Sequence, residues 1–204
     1  MLGRFFGRKQ KQSAPPPPSY GPTWGAPVTP FVDTYNVHFH GLDLATTVPL
    51  LAQSYMLLAV PGPNIVVAQQ GAWTTAYVAP ALMARVGFNK LAGAIAAEQG
   101  IWVIGYRVYA AVGLDVHYFH GDGHVAGLTM ADDEIEVEPA APARFADLAD
   151  VHSLVPRPPS RHPLDFHFDL LAALGIQDAA LTWDDALARH QAGDLGESTL
   201  LTAD

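Results

Sequence analysis

The stretch DVHYFHGDGH, residues 115–124, places His117, His120 and His124 around a Gly-Asp-Gly turn. Imidazole is a favoured zinc ligand, and two adjacent rings need a third donor to make a hydrolytic metal site. Asp122, in the turn, is the nearest carboxylate. Turn geometry decides which rings meet. A two-residue type I′ turn at Asp122-Gly123 pairs Gly121 with His124 and sets His120 and His124 on opposite faces. A three-residue loop over 121–123 makes the two histidines cross-strand neighbours, roughly 5 Å apart at Cβ. A one-residue slip turns a strand over, so the apolar residues arbitrate. Only the three-residue loop gathers Leu114, Val116 and Tyr118 on one face with Leu128 and Met130. The expected hairpin therefore carries His120 and His124 side by side, with Asp122 as a candidate third ligand and zinc as the candidate cofactor. His117 falls on the other face. The leading expectation is plainer: a solvated hairpin tip, because no donor from a distant segment is marked out.

A second histidine pair lies in HFHG, residues 38–41. The motif is similar to the first copper-binding motif of multicopper oxidases, which would imply copper ligation by His38 and His40. That family also uses a cysteine ligand and further histidine motifs, whereas this chain has no cysteine and no second His-x-His. The alternation of YNVHFH, with Val37 and Phe39 on one face and the histidines on the other, reads as a strand with a polar face. Other chemistries are excluded in the same way. Ser54, Ser153 and Ser160 sit in no nucleophile elbow. GDGH lacks the Lys-Ser/Thr ending of a phosphate loop. Asp132, Asp133 and Glu134 are consecutive, so on a strand they point in different directions. Asp165, His167 and Asp169 are spaced by two at a helix start, where they do not face one another.

These residues need elements to position them. After the Tyr35 strand, Asp43 caps an apolar stretch ending near Leu58, with Pro49 awkward inside it. IVVAQQ and WTTAYVA form a hairpin through Gly71. Pro80 opens a helix running to Gln99, stopped by Gly100. Three strands follow, IWVIGYRVYAA, LDVHYF and VAGLTMA. DDEIEVE reads as a short edge strand whose acids discourage pairing with another chain. Short helices come next: FADLADVHSL, then, beyond the connector PRPPSRHP, LDFHFDLLAAL ending at Gly175, and WDDALARHQ capped by Thr182 with Asp184 and Asp185 in its first turn. The order β-α-β-β-α-β-β-β followed by helices predicts an α+β fold. Its sheet is antiparallel or mixed, with helices packed on one face and a short C-terminal helical segment.

The pieces WTTAYV, LAGAIAAEQGIWVIGYRV, YFHGDGHVAG and FHFDLLAALGI, spanning Trp73 to about Leu187, resemble a group of bacterial α/β proteins with no established activity. The resemblance implies an α/β body and carries no mechanism.

Composition sets the remaining bounds. Half of the 204 residues are hydrophobic, ample for one core. The most apolar window, Leu42 to Val60, contains Asp43, Pro49 and Gln53 and falls short of a membrane span. The absence of cysteine suits the cytoplasm. The net charge is -9, yet four of the 11 basic residues, Arg4, Arg8, Lys9 and Lys11, fall in the first twelve positions with no acid among them. An acidic body repels phosphate backbones, so nucleic acid is not the expected partner. Residues 1–33, with the Pro15–Pro18 run, read as a disordered basic, proline-rich tail capable of weak contact with an anionic surface. Residues 34–204 read as a single α+β domain. The expected function is a non-enzymatic module that binds another protein. The alternatives are a small metal-dependent hydrolase using the tip histidines, and a small-ligand sensor with an aromatic pocket of Trp73, Tyr77, Trp102, Tyr106 and Tyr109.

Overall fold

The computed structural model describes residues 34–56, 60–83, 88–109, 113–121, 123–131, 134–137 and 171–203. Its elements run β1 (Thr34–His40), α1 (Leu44–Met56), β2 (Gly62–Gln70), β3 (Trp73–Val78), α2 (Pro80–Met83), α3 (Phe88–Gln99), β4 (Val103–Tyr109), β5 (Gly113–His120), β6 (Gly123–Ala131), β7 (Glu134–Val137), α4 (Trp183–Ala192) and β8 (Ser198–Ala203). The fold is α+β. The tail over 1–33, the expected helix over 145–154 and the connector over 156–163 lie outside the described residues.

All eight strands join one sheet in the order β7-β6-β5-β4-β1-β3-β2-β8, and every neighbouring pair is antiparallel. β1 and β2 therefore run parallel with β3 inserted between them, and β3 and β4 run parallel with β1 between them. These are two interleaved split β-α-β units, the ferredoxin-like arrangement, extended by three strands beyond β4 and one beyond β2. Such a topology says nothing by itself about activity.

The strand alternation assigns each residue to a face. Val37 and Phe39 of β1, Val67 of β2, Ala76 of β3 and Val103 of β4 bury against Leu51 of α1, Leu82 of α2 and Ala92, Ile95 and Ala96 of α3. Each large apolar side chain so buried contributes about 1.5–3 kcal/mol. Asp43 begins α1: its Oδ1 accepts from the Thr46 N–H at 2.8 Å and its carbonyl from the Thr47 N–H at 2.9 Å. Pro49 is accommodated inside α1 on its exposed side. Of the helix expected from Pro80 to Gln99, α2 and α3 are described, and residues 84–87 between them lie outside the described residues. Gly100, at φ +66°, ends α3 in the left-handed region that glycine tolerates.

α3 lies close on β5 because glycines allow it. A Cβ on Gly93 would meet the Phe119 ring at 3.2 Å, and one on Gly121 would meet the Gly100 Cα at 3.0 Å. The end of the β5–β6 hairpin is thus pressed against the end of α3.

Two expectations are corrected. Helices do not pack on one face only: α4 covers the other face, where Trp183 and Ala186 bury with Val66, Ala68 and Tyr77. The chain also returns to the sheet as β8, which pairs with β2 from Gly62–Ala203 to Ala68–Ser198 with an irregularity at Asn64. The cause is the same in both cases. The central strands present apolar residues to both sides, so a single helical layer leaves Val66, Ala68 and Tyr77 in water.

Candidate functional site

The face opposite α1–α3 carries the chemistry-bearing residues. Across it the register aligns Val66, Tyr77, Asn36, Tyr106 and Val116 in one row, and Ala68, Thr75, His38, Ile104 and Tyr118 in the next. At the end of the sheet lie Gln70, Trp73 and His40, with Trp102 and His120 beside them.

The middle of the first row, Tyr77, Asn36 and Tyr106, is polar, buried and occupied by the chain itself. Residues 174–181 cross it without regular secondary structure, so their carbonyls need outside donors. Trp73 Nε1 donates to the Leu174 carbonyl at 2.9 Å, and Tyr77 Oη to the Asp178 carbonyl at 3.2 Å. Asn36 Nδ2 reaches the carbonyls of Ala179 and Leu181, each at 2.9 Å. Tyr106 Oη also donates to the Ala179 carbonyl and accepts from Asn36 Nδ2 at 2.8 Å. Gln70 Nε2 donates to Tyr77 Oη at 2.9 Å. Burial pushes both phenols far above the ordinary tyrosine range, with Asp178 adding to the effect at Tyr77, so both stay neutral donors. Among the described residues, Asn36 Oδ1 accepts no hydrogen bond. On the outer side of the strap, Asp178 adopts φ +53° and its carboxylate pairs with Arg189 of α4 at 3.0 Å.

These contacts account for four of the five expected pocket aromatics. Trp73, Tyr77 and Tyr106 serve as donors to the strap, and Trp102 is 9% exposed with His120 tilted against it at 4.7 Å. Tyr109 ends β4, and its side chain lies outside the described residues.

The histidines divide by environment. His38 is fully buried, with Nδ1 2.9 Å from Thr75 Oγ1 and its ring stacked on Tyr106 at 5.8 Å. His40 is half-buried against Trp73 at 4.8 Å, and burial lowers its pKa. His117 takes the other face, 6.3 Å from the Phe119 ring.

The hairpin tip differs from the expected one. The body of the hairpin follows the register of a three-residue loop, with Leu114 opposite Met130, Val116 opposite Leu128 and Tyr118 opposite Ala126. A bulge then leaves Val125 over, so that Phe119 faces His124 and His120 faces Gly123. His120 and His124 are therefore not directly opposed, and Asp122 lies outside the described residues. Among the described residues, no group of three or more His, Cys, Asp or Glu side chains is placed to hold a metal.

The contribution of Asn36 is absent from the sequence expectations, which read β1 as a strand with a polar face carrying the two histidines. The available signal was the apolar content of LLAALGI and LTW, which needs a second sheet face to cover. Among the described residues no helix is long and apolar enough to cross a membrane. Protein-family models, curated proteins and solved structures give no match to the chain.

Proposed function

We propose that this protein is a non-enzymatic module that acts by binding another protein, with the basic, proline-rich residues 1–33 as its tether. The observation that carries this reading is the use made of the polar sheet face. Trp73, Tyr77, Tyr106 and Asn36 spend their donors on the backbone of residues 174–181. Catalysis needs several such groups converging on a space where a substrate sits. Here the groups converge on the chain's own strap, which supports a scaffold reading over a catalytic or small-ligand one. The acidic composition favours a protein partner over nucleic acid.

Affinity capture with the full chain and with residues 34–204, followed by quantitative mass spectrometry, tests the proposal. The expected result is a stoichiometric partner on the full chain that is depleted on the truncated one. Equal capture by both removes the tail from the proposal, and no capture above a tag-only control removes the proposal itself. Stoichiometric zinc in the purified protein, lost in His120→Ala/His124→Ala, would instead support the metal-dependent hydrolase.

A further inference from the structure

We infer that the outer edge of β8 is a self-association surface, on which a second copy of this chain adds its own β8 antiparallel and continues the sheet across a two-fold axis at Leu200. Among the described residues β8 is a terminal strand of the sheet. The phase of its backbone is fixed by one bond: the Gln69 N–H donates to the Glu197 carbonyl at 2.9 Å. Glu197, Thr199 and Leu201 therefore turn their peptide groups toward β2. Alternation leaves the N–H and C=O of Ser198, Leu200 and Thr202 directed away from the sheet.

That outward set is symmetric about its middle member. Two copies related by a two-fold axis place Leu200 opposite Leu200 and Ser198 opposite Thr202 twice, making about six N–H···O=C bonds. On the α4 face leucine then meets leucine, and on the α1 face Thr199 meets Leu201, pairings that suit a strand ladder.

Charge favours the second copy as occupant. The chain carries -9 overall, so two copies repel over most of their surfaces. β8, STLLTA, and α1, LATTVPLLAQSYM, contain no charged residue. At the opposite end of the sheet β7, EIEV, holds two glutamates, a usual guard against edge pairing. A basic partner would seek the acidic surface, whereas an uncharged edge on an acidic protein suits a copy of itself. Size points to α1 as well. A stable interface buries about 800 Å² per partner, more than a short strand pair supplies. α1 flanks β8, Leu201 and Ala203 pack in the cluster of Leu51, and Ala45, Pro49 and Gln53 of α1 remain exposed.

Sedimentation velocity on the full chain over a micromolar dilution series reads the outcome. The expected species is a dimer of the 21.8 kDa chain. Thr202→Pro removes an outward N–H that makes no bond to β2, and proline is tolerated at such an edge position. It is expected to give a folded monomer with an unchanged circular dichroism spectrum and faster amide exchange at Leu200. If that variant unfolds, Thr202→Lys, changing an exposed side chain, replaces it with the same expectation. A wild-type monomer throughout the series overturns the inference, as does a dimer that survives the substitution with Leu200 exchange unchanged. The inference stands apart from the partner recognition proposed above: a monomer that still captures a partner sinks this one and leaves that one intact.

Discussion

Replacing Asn36 by leucine isolates the polar part of the strap's attachment. The two side chains are similar in volume, so packing is nearly kept while both hydrogen bonds to the strap, at 2.9 Å each, are lost. Ala179 retains Tyr106 as a donor, whereas the Leu181 carbonyl loses its bond from Nδ2. An orphaned buried acceptor costs about 1–3 kcal/mol. Removing Oδ1, which accepts no hydrogen bond among the described residues, offsets part of that, leaving an expected loss of about 1–2 kcal/mol. For a chain of this length the loss corresponds to a fall in Tm of about 2–8 °C. Urea unfolding followed by circular dichroism gives the energy, and native-state hydrogen exchange locates it. Amides over 176–183 are expected to lose protection before those of β1 and β4. Unchanged or increased stability, or a loss of protection spread evenly over the sheet, would refute the claim that Asn36 anchors this segment.

Thr182→Ala removes the N-cap of α4, whose hydroxyl accepts from the Asp185 N–H at 3.1 Å; an expected loss of about 1 kcal/mol is checked by the same urea titration. Gly121→Ala forces a methyl to within 3.0 Å of the Gly100 backbone; the expected cost is about 1–3 kcal/mol, with chemical-shift changes at both the hairpin tip and the end of α3. Burial lowers the pKa of His40 in the folded state, so its contribution to stability is fully present above the unfolded value of about 6.5 and is lost as pH falls through the folded pKa. Stability measured against pH is therefore expected to drop on acidification below about 6.5, less steeply in His40→Gln; an equal slope in the two proteins contradicts the assignment.

The parts of the fold legible in the sequence are those where one face of a strand is apolar and the other is not. TYNVHFH announces β1 and its two faces, and Leu114, Val116 and Tyr118 fix the register of the β5–β6 body. The tip was not legible because its glycines carry no side chain to favour one register, so a bulge at Val125 enters without disturbing the apolar pattern. β8 was hidden for a different reason. Leu200 packs toward α4 and Leu201 toward α1, and a strand covered on both sides loses the alternation that marks it. For the same reason the second helical face went unforeseen: Trp183 and Ala186 give α4 an apolar side without saying which surface it meets. Of the candidate site, the donors Trp73, Tyr77 and Tyr106 were visible as an aromatic group. Their role was not, since the carbonyls they serve lie far along the chain, 101 positions for Trp73 and Tyr77 and 73 for Tyr106.

The strap also sets a timetable for biogenesis. Asn36 must wait for Leu181, 145 positions later, and β2 must wait for β8. A chain emerging from the ribosome can close the α1–α3 side early, while Val66 and Tyr77 stay bare and β2 remains an open border. Contacts of such long range slow folding and prolong that exposure. Synthesis halted before residue 171 would thus yield a half-clad, sticky nascent species, and the last thirty or so residues act as the closing garment of the sheet.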